Sequence, residues 1–153
     1  MNILVTGGAG YIGSHTCLAL LEAGHSVIIA DNLSNSKSET VLKVMDIANK
    51  KVTFYEIDVT DAEAIDIIFK NYKIDGVIHF AGLKAVGESV EKPIEYYYNN
   101  IVSTLVLAKA CQKYGVTKFF LVRQRQYMEI TKYRLWRPWT YYLLQTHMVK
   151  RKL

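Results

Sequence analysis

Short apolar runs alternate with longer segments of helical periodicity over residues 1–122. The runs that predict strands are 2–6, 27–30, 52–57, 76–80 and 118–122. Helices are predicted over 11–23 and 39–48, from near Asp61 to Tyr72, and through Ile101, Leu105 and Ala108 up to Gly115. Strands that alternate with helices in this way need crossover connections, so the strands lie parallel and helices cover both faces. We predict an α/β fold with a doubly wound parallel sheet.

A glycine-rich turn joins the first strand to the first helix. Gly7, Gly10 and Gly13 fit G-x-x-G-x-x-G, and Gly8, Gly10 and Gly13 fit G-x-G-x-x-G. Glycine permits a tight turn, close approach of the backbone to a pyrophosphate, and close packing of the helix on the strand. The helix N-terminus then offers free N–H groups to the phosphates. We interpret the turn as the cofactor loop of a Rossmann-type dinucleotide-binding domain.

An acidic residue after the second strand distinguishes between the two nicotinamide cofactors. Asp31 follows Gly10 by 21 residues, close to the spacing of about 20 expected for the acid that binds the ribose. A carboxylate accepts hydrogen bonds from ribose hydroxyls and repels a 2′-phosphate. Residues 1–122 contain no arginine that could accommodate that phosphate. The sequence therefore predicts NAD rather than NADP.

Composition divides the chain near residue 122. Residues 1–122 contain 11 lysines, no arginine and 13 acidic residues. Residues 123–153 contain eight basic residues, one acidic residue, both tryptophans and no glycine. We expect residues 1–122 to be an incomplete NAD-binding domain, truncated after about the fifth strand. We expect residues 123–153 to be an aberrant basic and aromatic tail.

The remaining composition favours the cytoplasm. No run approaches the roughly 18 apolar residues of a membrane span, and the N-terminus has no charged and apolar leader. Cys17 and Cys111 both fall in apolar helical patterns, which indicates buried thiols rather than a disulfide framework. Histidines and acids show no metal-ligand spacing, so we expect no metal.

Strings after the third and fourth strands are more specific than the glycine-rich turn. They are Asp58-Val59, the stretch from His79 to Val90, Lys92-Pro93, and Tyr96 to Asn100. Together with 6–15 and 31–36, they resemble the UDP-glucose 4-epimerases of the extended short-chain dehydrogenase/reductase family. The resemblance runs from Met1 to about Val122. It implies tightly held NAD and, in the full-length family, UDP-glucose and UDP-galactose as substrates, a homodimer and a C-terminal UDP-sugar domain. We expect that domain to be absent from this sequence.

The resemblance also implies where the cofactor lies. The pyrophosphate would lie on the first helix, the adenosine ribose by the loop after the second strand, and the adenine by the loop after the third. The loop after the fourth strand would line the path between the pyrophosphate and the second ribose. The full set of expected cofactor residues is Gly7, Gly10, Tyr11, Ile12, Gly13, Asp31, Asn32, Leu33, Ser34, Asn35, Ser36, Asp58, Val59, Phe80, Ala81, Gly82, Leu83, Lys84 and Asn99.

The implied reaction interconverts UDP-galactose and UDP-glucose through a 4-keto sugar, with NAD taking and returning a hydride. It needs a tyrosine base and a lysine on one helix face at Y-x-x-x-K spacing. The one match, Tyr114 and Lys118, precedes the fifth strand and is interrupted by Gly115, so we interpret it as coincidence. We therefore assign no catalytic residue and expect this chain to be inactive by itself.

Back-translation of the tail suggests why the pair is missing. Codons compatible with Val122–Glu129, taken from their third bases, encode Ser-Ser-Ala-Thr-Val-Tyr-Gly, the family's segment after the fifth strand. At the same offset, codons compatible with Gln145–Lys152 encode Asn-Pro-Tyr-Gly-Lys-Thr-Lys, which contains the family's Y-x-x-x-K. We hypothesise a frameshift near Val122, which sequencing of the gene across codons 118–130 tests.

Alternatives remain at this point. The arginines of the tail, interleaved with tyrosines and tryptophans, have the composition of a nucleic-acid or anionic-membrane surface. Frame-shifted translation gives the same composition without selection, so we expect neither a nucleic acid nor a membrane as partner. The chain could also be another NAD-dependent sugar-nucleotide dehydratase or reductase, or a non-catalytic NAD-binding module with a basic tail.

Overall fold

The computed structural model describes residues 1–122, in which strands and helices alternate. The strands are β1 (Asn2–Thr6), β2 (Ser26–Asp31), β3 (Thr53–Glu56), β4 (Gly76–His79) and β5 (Phe119–Leu121). The helices are α1 (Tyr11–Glu22), α2 (Ser38–Ala48), α3 (Ala62–Asn71), α4 (Val86–Glu91) and α5 (Pro93–Tyr114). Where the sequence defined an element's end, the structure agrees to within one residue.

The strands form one parallel sheet with β1 at its centre, in the order β3-β2-β1-β4-β5. The last residue of β1, Thr6, lies beside Ala30 of β2 and His79 of β4. Because the strands are parallel and in register, the loops that follow β1, β2, β3 and β4 leave from the same edge, where ligands bind in such sheets. The predicted doubly wound sheet is confirmed for the described residues.

Apolar side chains cover both faces of the sheet. On one face, Val5 and Ile29 belong to a buried cluster that includes side chains of α1 and α2. On the other, Leu4 and Ile28 belong to a cluster that includes side chains of α3 and α5. Since both faces are buried, β1 and β2 are continuous apolar runs rather than alternating ones.

Helix ends follow the local sequence. α1 ends just before Gly24, which adopts a left-handed φ of 83°. α3 begins after Asp61, whose carboxylate accepts hydrogen bonds from the N–H groups of Glu63 and Ala64. α5 has Pro93 in its first turn, where proline costs no hydrogen bond. The first two signals explain why the sequence located the end of α1 and the start of α3. The start of α5 at Pro93 was not predicted.

Two features between residues 85 and 114 differ from expectation. The sequence pattern does not predict α4, because this helix is only six residues long and contains Gly87, and glycine disfavours helices. Ile101 and Leu105, whose spacing indicated α5, are exposed, whereas Ser103 and Leu107 are buried. The apolar stripe that indicated the helix therefore faces away from the core of the described residues.

Both cysteines are free thiols buried in the core, as the sequence predicted. Cys17 packs on the α1 and α2 side of the sheet, and Cys111 on the α3 and α5 side. Burial, and to a lesser extent the charge of Asp31, raises the pKa of Cys17 to about 12. Burial also raises the pKa of Cys111 to about 11. Both thiols therefore stay protonated near neutral pH.

Predictions about the tail, its frame-shifted origin and its possible basic surface concern residues 123–153, which lie outside the described residues. Across residues 1–122, none of the helices has both the length and the apolar character needed to cross a lipid bilayer.

Candidate functional site

Two glycines, one in the loop after β1 and one in the first turn of α1, allow close packing between the loop and the helix. Gly7 adopts a left-handed φ of 70°, and a Cβ there would lie 2.6 Å from the backbone nitrogen of Ala81. A Cβ at Gly13 would lie 2.2 Å from the carbonyl oxygen of Gly7. A side chain at either position would force the loop or the helix away. The glycines therefore keep the start of α1 close to the end of β1.

The first turn of α1 has N–H groups available to a ligand. Gly10 is the N-cap and supplies no side-chain hydrogen bond. The N–H of Ser14 donates to the carbonyl of Gly10 at 2.8 Å, so the earlier N–H groups of Tyr11, Ile12 and Gly13 have no acceptor within the helix. The side chains of Tyr11 and Ile12 are exposed. Such a turn, at the positive end of the helix dipole, suits a phosphate.

Asp31 connects the glycine-rich loop to the loop after β2. It is the buried last residue of β2. One carboxylate oxygen accepts the N–H of Ala9 at 3.0 Å, and the other accepts the N–H of Leu33 at 3.0 Å and the hydroxyl of Ser36 at 2.9 Å. A carboxylate has about four acceptor positions, so one position is left for a ligand hydroxyl.

The loop after β2 continues to the loop after β3. The side-chain amide of Asn32 donates to a carboxylate oxygen of Asp58 at 3.3 Å, and its carbonyl oxygen accepts the N–H of Ser34 at 3.1 Å. Leu33 turns the backbone with a left-handed φ of 57°, and Asn35 is exposed at the outside of the loop. The predicted ribose and adenine segments are thus adjacent.

Asp58 is held ionised. Burial by itself raises its pKa, but hydrogen bonds from the N–H of Thr60 at 2.8 Å, the hydroxyl of Thr60 at 2.7 Å and the amide of Asn32 outweigh burial. Together they hold the pKa of Asp58 below its ordinary value. The neighbouring Val59 has a different environment, because its side chain is buried in the core. Only the backbone of Val59 is available to a ligand.

The loop after β4 lies against the glycine-rich loop. The N–H groups of Phe80 and Ala81 both donate to the carbonyl oxygen of Thr6, at 2.9 and 3.1 Å. The Phe80 side chain is buried in the cluster below α1 and α2, whereas the backbone of Ala81 approaches Gly7 closely. The loops after β1 and β4 therefore form one continuous surface.

Lys84 and Asn99 lie at the far end of this surface. Lys84 is half-buried, and burial lowers the pKa of its ammonium group. Asn99 donates its side-chain amide to the side-chain oxygen of Asn100 at 3.2 Å. Asn100, which the sequence analysis did not single out, bonds both backbone groups of Leu83. A sequence signal for Asn100 did exist. Asn99 and Asn100 are adjacent within α5, and the helix needs neither side chain for its own hydrogen bonds.

His79 is buried beneath the site and is 1% exposed. Its Nδ1 lies 2.6 Å from the hydroxyl of Thr6, and its Nε2 lies 3.4 Å from the hydroxyl of Ser103. Burial, with a smaller effect of the Lys84 ammonium, lowers the pKa of His79 to about 4. The neutral imidazole links β1, β4 and α5 and acts as a core residue.

The Y-x-x-x-K match lies away from this edge of the sheet. The hydroxyl of Tyr114 donates to Asp66 of α3 at 2.8 Å, and Gly115 ends α5 with a left-handed φ of 71°. The ammonium of Lys118 lies 3.9 Å from the sulfur of Met1, at the opposite edge. The two side chains share no helix face. Within residues 1–122, no group of three or more His, Cys, Asp or Glu side chains is placed to hold a metal.

A doubly wound parallel sheet, a glycine-rich turn before α1 and an acid at the end of β2 define a Rossmann-type dinucleotide-binding unit. The model of the NAD dependent epimerase/dehydratase family matches residues 3–123. The chain belongs to that family, and the resemblance inferred from the sequence is confirmed.

Similar proteins narrow the group. UDP-glucose 4-epimerase of Bacillus subtilis is 57% identical over 118 residues, which are 77% of this chain and 35% of that protein. A UDP-glucose 4-epimerase of Klebsiella pneumoniae is 51% identical over 119 residues, 78% of this chain and 86% of that protein. The crystal structure of UDP-glucose 4-epimerase from Bifidobacterium longum in complex with NAD+ and UDP matches with a TM-score of 0.80 and 49% identity. That match covers 81% of this chain and 37% of that chain.

The chain thus spans about a third of the length of the B. subtilis relative. The matched region ends at residue 123, next to the point where the composition of the sequence changes.

Proposed function

We propose that residues 1–122 bind NAD along the carboxyl edge of the sheet. The observation that supports this most directly is the Asp31 carboxylate, bonded to the N–H of Ala9 at 3.0 Å. It lies beside a helix start that has no side-chain cap. An acceptor for ribose hydroxyls and donors for a pyrophosphate therefore lie next to one another, as a dinucleotide requires. The B. longum relative is a complex with NAD+.

In this proposal the pyrophosphate lies on the first turn of α1. Gly7, Gly10 and Gly13 let the backbone come close, and Tyr11 and Ile12 contribute their N–H groups and flank the phosphates. Gly10 suits this position because a Cβ there would meet only the carbonyl oxygen of Gly7, at 3.3 Å. The space above it is open to a ligand.

The adenosine half would lie over the loops after β2 and β3. Asp31 accepts a ribose hydroxyl at its remaining acceptor position. The loop of Asn32, Leu33, Ser34, Asn35 and Ser36 surrounds the ribose, and Asp58 borders the adenine together with the backbone of Val59. Residues 1–122 contain no arginine, and the Asp31 charge opposes a 2′-phosphate. We therefore propose NAD rather than NADP.

The nicotinamide-ribose half of NAD would lie along the loop after β4. Phe80, Ala81, Gly82 and Leu83 line the path from the pyrophosphate to the second ribose. The Lys84 ammonium then lies near a cofactor oxygen, and Asn99 approaches from α5. NAD bound here supplies a hydride acceptor and donor.

We further propose that this domain serves UDP-glucose 4-epimerase chemistry, the interconversion of UDP-galactose and UDP-glucose, as the names of its relatives indicate. Proton transfer in that reaction needs a tyrosine and a lysine on one helix face. The only Y-x-x-x-K match in the sequence is Tyr114 and Lys118, and these residues lie at the wrong edge of the sheet. The 153-residue chain by itself is therefore expected to bind cofactor without turnover.

We propose that α5 pairs with a second copy of the chain. The exposed apolar side chains of α5 recur at helical spacing and form one stripe, which consists of Ile94, Tyr97, Tyr98, Ile101 and Leu105. A contiguous exposed apolar surface of this kind is typical of a protein interface. A homodimer through α5 would bury it.

We assign residues 1–122 to the NAD-binding domain and residues 123–153 to a separate tail, on the basis of composition and of the extent of the family match. The free, buried thiols Cys17 and Cys111 support a reducing, cytoplasmic location.

Isothermal titration of the full chain with NAD and NADP tests the proposal. We expect saturable one-to-one binding of NAD and much weaker binding of NADP. Absence of NAD binding by a folded chain would refute the proposed function. Incubation with UDP-galactose and NAD should give no UDP-glucose, and measurable turnover would contradict the assignment of no catalytic pair.

A further inference from the structure

We infer that Asn100 is a positioning residue that fixes the loop from Gly82 to Lys84 in the conformation that receives the nicotinamide-ribose half of the cofactor. This inference rests on the proposed NAD site. It concerns a side chain that lies on a helix behind the loop and acts on the cofactor through the backbone of Leu83.

Asn100 holds the loop by two hydrogen bonds to one residue. Its side-chain oxygen accepts the N–H of Leu83 at 2.8 Å, and its side-chain nitrogen donates to the carbonyl of Leu83 at 3.0 Å. These are the two bonds that a neighbouring strand would make, but Leu83 lies beyond the end of β4 and has no strand beside it there. Backbone groups that lack a sheet partner need another one, and a single amide supplies both.

The amide of Asn100 is itself fixed. Its oxygen also accepts the amide of Asn99 at 3.2 Å, and its backbone lies within the long helix α5. The bonds to Leu83 therefore tie a loop to a rigid element rather than to another mobile group. A preorganised loop loses less conformational entropy when a ligand binds.

Gly82 gives independent support. It adopts φ 150°, and a Cβ there would lie 2.9 Å from the side-chain oxygen of Asn100. Glycine is therefore required for the amide to reach the loop. Glycine also leaves the backbone free to take many conformations, so the loop needs an external constraint. The hydrogen bonds from Asn100 supply this constraint at Leu83. That residue lies between Ala81, which is bonded to β1, and Lys84, which borders the proposed site.

The inference predicts that Asn100 affects one half of the cofactor. The adenosine half lies over Asp31 and Asp58, on the other side of the glycine-rich loop. AMP presents only that half, whereas NAD reaches both. Removal of the Asn100 amide should weaken NAD binding and leave AMP binding unchanged, a split that general destabilisation of the fold would not produce.

The test is titration of the full chain with NAD and with AMP, comparing wild type with Asn100→Ala. We expect NAD to bind about 10- to 100-fold more weakly, the equivalent of two net hydrogen bonds, with AMP unchanged. Thr104→Val is the matched control. It removes a hydroxyl that bonds the Asn100 carbonyl at 2.9 Å within the same helix but leaves the loop contacts intact, so both ligands should bind as in wild type.

Gly82→Ala is a second variant. Its methyl group would push the Asn100 amide away from Leu83, so we expect the same loss of NAD affinity with AMP affinity unchanged. If either variant loses AMP as much as NAD, or if Asn100→Ala binds NAD normally, the inference is wrong. It is also wrong if both variants lose the wild-type circular dichroism spectrum, because Asn100 then serves folding. A wild-type chain that is folded but binds neither ligand refutes the proposed function instead.

Discussion

The carboxylate of Asp31 accepts the backbone N–H of Ala9 at 3.0 Å, across 22 positions of sequence. This bond joins the loop after β2 to the glycine-rich loop after β1. The residue proposed to select the cofactor therefore also fixes the loop proposed to receive its phosphates. Changing the charge of Asp31 should act on both parts of the site.

Asp31→Asn retains the shape of the side chain and removes its charge. NAD should bind about 10- to 100-fold more weakly, because hydrogen bonds to a charged group contribute about 1.5–3 kcal/mol. The ratio of NAD affinity to NADP affinity should also decrease, since the variant no longer repels the 2′-phosphate of NADP. Isothermal titration measures both effects. Asp75→Asn is the control, because Asp75 also accepts a backbone N–H, that of Asn2 at 2.8 Å, but at the opposite edge.

Gly13→Ala tests the close contact between α1 and the glycine-rich loop. Its Cβ would lie 2.2 Å from the carbonyl oxygen of Gly7, so we expect a loss of about 1–3 kcal/mol in the free energy of unfolding and weaker NAD binding. Gly87→Ala is the matched control, since a Cβ there would meet no heavy atom within 4 Å beyond its chain neighbours and the backbone of its own helix. Alanine in α4 should stabilise by up to about 1 kcal/mol. Equal stability of the two variants in urea would contradict the described packing.

His79 should make stability depend on pH. The unfolded chain binds a proton on this imidazole near its ordinary pKa of 6.5, and the folded chain only near about 4. The free energy of unfolding therefore keeps its full His79 contribution above pH 6.5. It decreases as the pH drops towards 4, by about 3 kcal/mol in total. Urea unfolding at several pH values measures this loss.

The control for this pH dependence is a second histidine. His79→Gln should remove the slope between pH 6.5 and 4, whereas His15→Gln, at an exposed position of α1, should retain it. Asp66 and Asp58, whose pKa values are held below the ordinary 3.8 by hydrogen bonds, also lose stability as the pH falls, but mainly below pH 4, outside this interval. A slope that persists in His79→Gln would show that another group is responsible.

Leu105→Glu should prevent self-association through α5. Leu105 is 53% exposed and lies in the apolar stripe of that helix, whereas Leu42, on α2, is 56% exposed and lies outside it. Because a charge in a buried apolar interface is costly, light scattering after size exclusion should give a dimer for wild type and Leu42→Glu and a monomer for Leu105→Glu. A wild-type monomer would refute the homodimer proposal.

The sequence predicted those parts of the molecule that depend on local pattern. Continuous apolar runs located the strands, and the spacing from Gly10 to Asp31 indicated the side of the sheet on which the cofactor residues gather. Both follow from rules that act within about 20 residues. The structure brings the predicted loops to a single edge, as parallel strands require.

Other features depend on tertiary contacts that no local pattern contains. The bonds of Asn100 to Leu83 join residues 17 positions apart, and the burial of Val59 follows from how β3 and α3 meet the core. The periodicity of Ile101 and Leu105 correctly indicated a helix. It could not tell whether that apolar face meets the sheet or a partner, because both environments select the same residues.

The central position of β1 has a consequence for how this protein acquires its binding capacity during folding. Its neighbour β2 is close in sequence, but its other neighbour, β4, pairs through Ile3 with Gly76, more than 70 positions later. Contacts so distant form late, since the intervening chain must first be closed into a loop. The cofactor should therefore not bind to early folding intermediates, but only to molecules in which β4 has paired with β1. The rate at which NAD binding appears during refolding then measures the rate at which the sheet is completed.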